Sequence, residues 1–214
     1  MAELVVTDDL VGAAVGEFLN AAPRIVALAG GTTPRPLYER LASVDYAWSE
    51  VDVLFTDERC VPPEDPASNV GMIDRALLAR LDPPPRVHRM PGEPCDAELH
   101  EAALRRTFGA LQLDLAILGL GADGHAASLF PGDPALDERV RWVARVDRPD
   151  HRRITLTLPV LSSARLALFL VAGEGKRDAV ARLTAGDDIP AARVAAERVL
   201  VVADPAAASQ ASRA

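Results

Sequence analysis

The chain has little lysine, cysteine or aromatic content, and each shortage narrows what it can be. All but one of its 23 basic residues are arginine, the exception being Lys176. With alanine and proline abundant, the bias resembles coding from a GC-rich genome, which accounts for the arginines without reference to function. Acidic residues outnumber basic ones by 31 to 23, for a net charge of −8. Duplex binding depends on a basic surface that neutralises phosphates, so no nucleic-acid partner is expected. Two cysteines, Cys60 and Cys95, are too few for a disulfide framework. Without a CxxC pair, and with scattered histidines, they do not form a zinc set either. A reducing, cytoplasmic setting is the simplest expectation. The N-terminal MAELVVTDD has no basic stretch followed by an apolar one, so no secretory signal is expected. The longest apolar runs, such as Leu166 to Gly173, fall far short of the roughly 20 residues that span a bilayer. No membrane association is expected.

What is present is the balance of a globular protein. Of 214 residues, 49% are hydrophobic and 25% charged. A chain of this length can bury a sizeable core without covalent staples. Continuous apolar runs predict strands at Glu3–Val6, Arg24–Ala29, Val51–Thr56, Leu113–Leu118, Ile154–Leu158, Leu166–Ala172 and Val199–Ala203. Val140–Val146 alternates more and predicts an edge strand. Helical spacing falls between them: Leu10 to Leu19, Pro36–Ala42, a helix capped by Ser68 and running to about Leu81, Cys95–Leu111, and Gly175–Thr184. This alternation predicts one α/β domain over residues 1–204 with a largely parallel sheet, and a fraying tail over 205–214. Ligands in such folds sit beyond the carboxyl ends of strands, so the loops after strands are where chemistry is expected.

Five of those loops are unusual. Gly30, Gly31, Thr32, Thr33 and Pro34 follow the second strand. Glycines permit a close backbone approach, and free N–H groups and hydroxyls at a helix start suit a phosphate. A plain turn capped by threonine is the simpler alternative. Asp57, Glu58 and Arg59 leave the third strand, offering acid/base groups or a polar grip on substrate, although on this segment alone a solvated turn with a local salt bridge is the favoured reading. Asn69 follows Ser68 at a helix start and supplies an amide. The run GLGADGHAASLFPG at 119–132 carries His125 two residues after Asp123, in a glycine-rich loop after a buried strand. Histidine is the side chain best suited to proton transfer near neutrality, and a neighbouring aspartate can orient it. Ser128 lacks the GxSxG setting of a nucleophile and reads as a capping or hydrogen-bonding hydroxyl. Arg152 or Arg153, and Lys176 in GEGK, bring cations to further strand ends, where an acidic protein needs them to hold a phosphorylated substrate. His88, His100 and His151 lie in polar contexts and read as surface residues.

Taken together, AGGTTP, DER-x-VP with Ser68-Asn69, GLGADGHAASLFPG, RITLT and GEGK resemble the 6-phosphogluconolactonase family, in the right order from about Ala27 to Lys176. The resemblance implies a Rossmann-like α/β/α sandwich, like that of the glucosamine-6-phosphate deaminase and ribose-5-phosphate isomerase superfamily. It also implies hydrolysis of 6-phospho-D-glucono-1,5-lactone to 6-phosphogluconate, the second step of the oxidative pentose phosphate pathway, with no metal or organic cofactor. Carried onto this sequence, it makes His125 the general base, assisted by Asp123 or Asp57. Arg59 would hold substrate oxygens, and the phosphate would bind at Gly31, Thr32 and Thr33 with Lys176 and Arg153. The deaminase branch shares the GGxTP and DGH loops, but it tends to carry DEY where this chain has DER, and it continues with a glutamate where this chain has AASLFP. Both departures favour the lactonase. A non-catalytic phosphosugar sensor and metal-dependent hydrolysis are the other readings.

Overall fold

Segments such as LAILG and LALFLV are apolar at nearly every position. Such strands are stable only where both faces are covered, as in a parallel sheet with helices on either side. The computed structural model describes residues 2–208 and contains such a sheet. In chain order the elements are β1 (Glu3–Val6), α1 (Leu10–Ala21), β2 (Ile25–Leu28), α2 (Arg35–Leu41), β3 (Asp52–Phe55), β4 (Asp57–Arg59), α3 (Asn69–Ala76), β5 (Arg86–Val87), α4 (Ala97–Phe108) and β6 (Leu115–Gly119). They continue with β7 (Val143–Asp147), β8 (Arg152–Leu156), α5 (Leu158–Ser162), β9 (Leu166–Val171), α6 (Arg177–Ala185), β10 (Arg198–Ala203) and α7 (Pro205–Ala208).

The main sheet has the order β1-β10-β9-β6-β2-β3-β5, and its pairings are parallel. β9 is buried along its whole length, and Leu115 to Leu118 of β6 are fully enclosed. From β2 the chain moves one way to β3 and β5, then returns on the other side as β6. The loops after β2 and β6 therefore part from each other and open a crevice at the carboxyl edge. β4, β8 and β7 form a separate three-stranded antiparallel sheet.

Several expectations are revised by the folded chain. Asp57–Arg59, read as a loop, is a strand, because its backbone pairs with β8 rather than with solvent. The strand expected over Ile154–Leu158 begins at Arg152 and gives way at Leu158 to α5, where Pro159 occupies an early helical position. The tail expected to fray begins with α7, whose Ala207 is buried. The rest of that tail, 209–214, lies outside the described residues. His100 is buried on α4, and His88 is largely enclosed, bonding Oδ1 of Asp52 at 2.8 Å. Cys60 is bonded to Cys95 with Cα atoms 5.3 Å apart, against the expectation of reduced thiols. The loop ahead of α4 lies against the end of β4: a side chain on Gly92 would overlap the carbonyl of Val61. That packing, invisible at a sequence separation of 35, brings the two sulfurs together. Among the described residues, no helix is long and apolar enough to cross a membrane.

Candidate active site

β3, β2, β6 and β9 are consecutive neighbours in the sheet, so the segments that follow them converge at one edge. They enclose a cleft of ≈ 260 Å³. Gly30, Gly31, Thr32 and Thr33 line one side, and Asp57, Arg59 and Asn69 another. His125, Arg153 and Lys176 complete it. Asp123 stands behind His125, bonded to it.

The loop after β2 is fixed from below, where the Tyr38 hydroxyl donates to the Ala29 carbonyl at 2.6 Å. Gly31 has φ +101, a conformation that side chains disfavour. The threonines do not cap α2 as expected: its cap is Pro34, with no side-chain bond. Thr32 and Thr33 are thereby left facing the cleft.

In the loop after β6, Nδ1 of His125 lies 2.6 Å from Oδ1 of Asp123, which also accepts the His125 N–H at 3.2 Å. Burial pushes the Asp123 carboxyl up, but the bonds and charge of His125 outweigh it and hold the carboxyl below its ordinary value. An ionised carboxylate only accepts, so Nδ1 carries the proton and Nε2 is the basic nitrogen. The imidazole packs on the buried Phe130, ring centroids 4.3 Å apart. Asp57 has different partners. Its Oδ2 accepts the hydroxyl of buried Ser128 at 2.6 Å and its Oδ1 that of Thr56 at 3.1 Å. Asp123, not Asp57, is thus the carboxylate that orients the imidazole. Ser128 is a hydrogen-bonding hydroxyl that ties the histidine loop to β4.

The register of β4 and β8 sets Arg59 directly opposite Arg153. Like charges facing across a ladder repel. Arg59 donates to the Ala67 carbonyl at 2.6 Å, and Arg153 pairs with Asp150, yet the Nε of each is buried without a partner. Unmatched buried donors are rare and call for a ligand or water. Arg152 points elsewhere, pairing with Asp147. Lys176 forms no ion pair among the described residues, although it lines the same cleft. The partner of Arg153, Asp150, was not found by sequence reading; its spacing of three residues in RPDHRR was the available signal.

Glu58 points away from the cleft, into the protein. Burial pushes its carboxyl above the ordinary value, while bonds from Val70, Asn69, Arg59 and Ser68 pull the other way.

Residues 7–202 match the family described as Glucosamine-6-phosphate isomerases/6-phosphogluconolactonase. The chain belongs to that family. It is 38% identical over 176 residues to a 6-phosphogluconolactonase of Nostoc, covering 77% of this chain and 73% of that protein. It is 37% identical over 204 residues to the 6-phosphogluconolactonase of Mycobacterium tuberculosis, covering 86% and 83%. Its structure superposes on the 6-phosphogluconolactonase of Thermotoga maritima with a TM-score of 0.85 at 29% identity, covering 95% of this chain and 99% of that one. A monomeric glucosamine-6-phosphate deaminase shares the fold with a TM-score of 0.79 at 22% identity.

Proposed function

We propose that the cleft binds 6-phospho-D-glucono-1,5-lactone and hydrolyses it to 6-phospho-D-gluconate, as an enzyme of the oxidative pentose phosphate pathway. One observation carries this reading. A histidine with its tautomer set by an ionised aspartate shares a cleft with two opposed arginines and a lysine that forms no ion pair among the described residues. Such a site has a base for water and a surplus of positive charge for an anionic substrate. The named relatives support the same reaction.

In this mechanism Nε2 of His125 takes a proton from water as the water oxygen bonds to the lactone carbonyl carbon. The carbonyl oxygen becomes an oxyanion, to which Arg59, a cation of the same cleft, is assigned as partner. As the tetrahedral centre collapses, the bond to the ring oxygen breaks and the imidazolium returns its proton to that oxygen. Water is consumed, and the product carboxylic acid ionises. Asp123 holds the ring and stabilises its charged form. The backbone and hydroxyls of residues 31–33, with Lys176 and Arg153, hold the phosphate; the unmatched Nε donors support an anion there. Asn69 contributes to the wall beside it. A lactone is activated enough that no covalent nucleophile is needed. The compartment is part of the proposal: a cytoplasmic enzyme.

The test is turnover of 6-phosphogluconolactone, generated in situ, above its spontaneous hydrolysis, with EDTA present. Wild type should turn over rapidly, and His125→Ala should lose about 10²–10⁴-fold in kcat. An inactive wild type would redirect attention to glucosamine 6-phosphate deamination and then to phosphosugar binding without turnover. Full activity in His125→Ala would remove the assignment of the base.

A further inference from the structure

Glu58 is an acid with no role in the chemistry described above, yet it is among the best-satisfied side chains in the protein. It is 1% exposed and forms no ion pair among the described residues. Its Oε1 accepts the N–H of Arg59 at 2.7 Å and of Asn69 at 2.8 Å. Its Oε2 accepts the N–H of Val70 at 2.7 Å and the hydroxyl of Ser68 at 2.9 Å. All four partners donate, so only a group that accepts on both oxygens fits.

Two of those bonds end on residues whose side chains line the cleft, Arg59 and Asn69. From Asn69 the connection continues: its Nδ2 donates to the Asp57 carbonyl at 2.9 Å. Its Oδ1 lies so close to Gly30 that a Cβ there would overlap it. The hydroxyl that donates to Glu58 also accepts the Gly71 N–H at 2.9 Å, capping α3. The Glu58 carboxylate thus satisfies the first turn of α3 from a neighbouring strand.

We propose that Glu58 is a positioning residue for the hydrolytic site. Its carboxylate locks the first turn of α3 onto β4 and so sets the spacing of Arg59, Asn69 and the Gly30 loop. The inference rests on the lactone-hydrolysis reading of the cleft. It explains why a buried acid, with no counter-cation among the described residues, sits one residue from each of two cleft residues, Asp57 and Arg59.

Glu58→Gln replaces one accepting oxygen with a donor that must face other donors. The experiment compares kcat and KM for 6-phosphogluconolactone across pH in wild type and variant, with hydrogen exchange at the Asn69 and Val70 amides. The expected result is a KM raised about 10-fold or more, a smaller fall in kcat, and faster exchange at both amides. The acid limb of the kcat profile should keep its position, because His125 and Asp123 are untouched. Glu58→Asp, which keeps both accepting oxygens on a shorter arm, should recover part of the loss. Faster exchange with unchanged kinetic constants per folded molecule would overturn the proposal and leave Glu58 a structural residue only. If Glu58→Gln does not fold, Ser68→Ala removes a single donor and leaves the carboxylate; its KM should rise several-fold, and an unchanged KM overturns the proposal equally. A wild type that does not hydrolyse the lactone would defeat the reaction alone. Calorimetric affinity for 6-phosphogluconate, in wild type and Glu58→Gln, would then decide the positioning role by itself.

Discussion

Gly121 stands so close to His125 that a Cβ on it would overlap Nδ1 of the imidazole and lie 2.6 Å from Oδ1 of Asp123. The Gly121 N–H also donates to the His125 carbonyl at 2.8 Å. The tight loop after β6 therefore has room for the histidine–aspartate pair only while position 121 has no side chain. Gly121→Ala should cost about 10²-fold or more in kcat, the scale of general-base assistance, while KM changes little. Steady-state kinetics on the lactone check this; a variant with wild-type kcat would show that the pair does not depend on this packing.

Gly30 and Asn69 give a second steric prediction. A methyl group on Gly30 would overlap Asn69 Oδ1 and stand 2.8 Å from its Cβ. Gly30→Ala should raise KM about 10-fold by displacing the asparagine or the loop. Asn69→Ala removes the two atoms that overlap most and leaves only the Cβ contact, so Gly30→Ala should cost less in that background than in wild type. A double-mutant cycle on kcat/KM measures this coupling, and strict additivity would refute it.

Lys176 is expected to act through charge on the bound phosphate. Lys176→Ala should raise KM about 10-fold with kcat nearly kept, since a charge-assisted bond to a remote group stabilises ground and transition states alike. The penalty should shrink as salt rises. A fall confined to kcat would place the lysine at the reacting carbonyl instead.

His100 gives a prediction about stability. Burial, with a smaller contribution from the charge of His88, pushes its pKa down to about 4 from 6.5. The unfolded chain therefore binds a proton that the folded chain refuses over that interval. Stability from this group is complete above pH 6.5 and declines as pH falls toward 4, by on the order of 3 kcal/mol in all. Urea titrations at pH 7 and pH 5 should differ less in His100→Leu than in wild type. An equal difference in both proteins would assign the acid sensitivity to other groups.

Much of the scaffold was legible because burial on two faces leaves a plain signature. β6, β9 and β10 appear as apolar runs within a residue or two of their bounds. The glycine-rich loops could be placed at strand ends for the same reason. Asp57–Arg59 could not be read as a strand, since three polar residues have no hydrophobic period and their pairing partner lies far along the chain. His100 was misread because polar neighbours on a helix say nothing of which side faces the core.

The sequence by itself determined the fold class, the order of the site segments and the identity of the groups they carry. Tertiary structure alone decided their relations: Asp123 rather than Asp57 on the imidazole, Arg59 against Arg153, Glu58 beneath Asn69, Cys60 beside Cys95. The reason is one of range. Hydrophobic burial tolerates shifts of an ångström and recurs with a period that a sequence displays. A hydrogen bond or charge contact depends on the register between segments distant in the chain, and no local pattern encodes it.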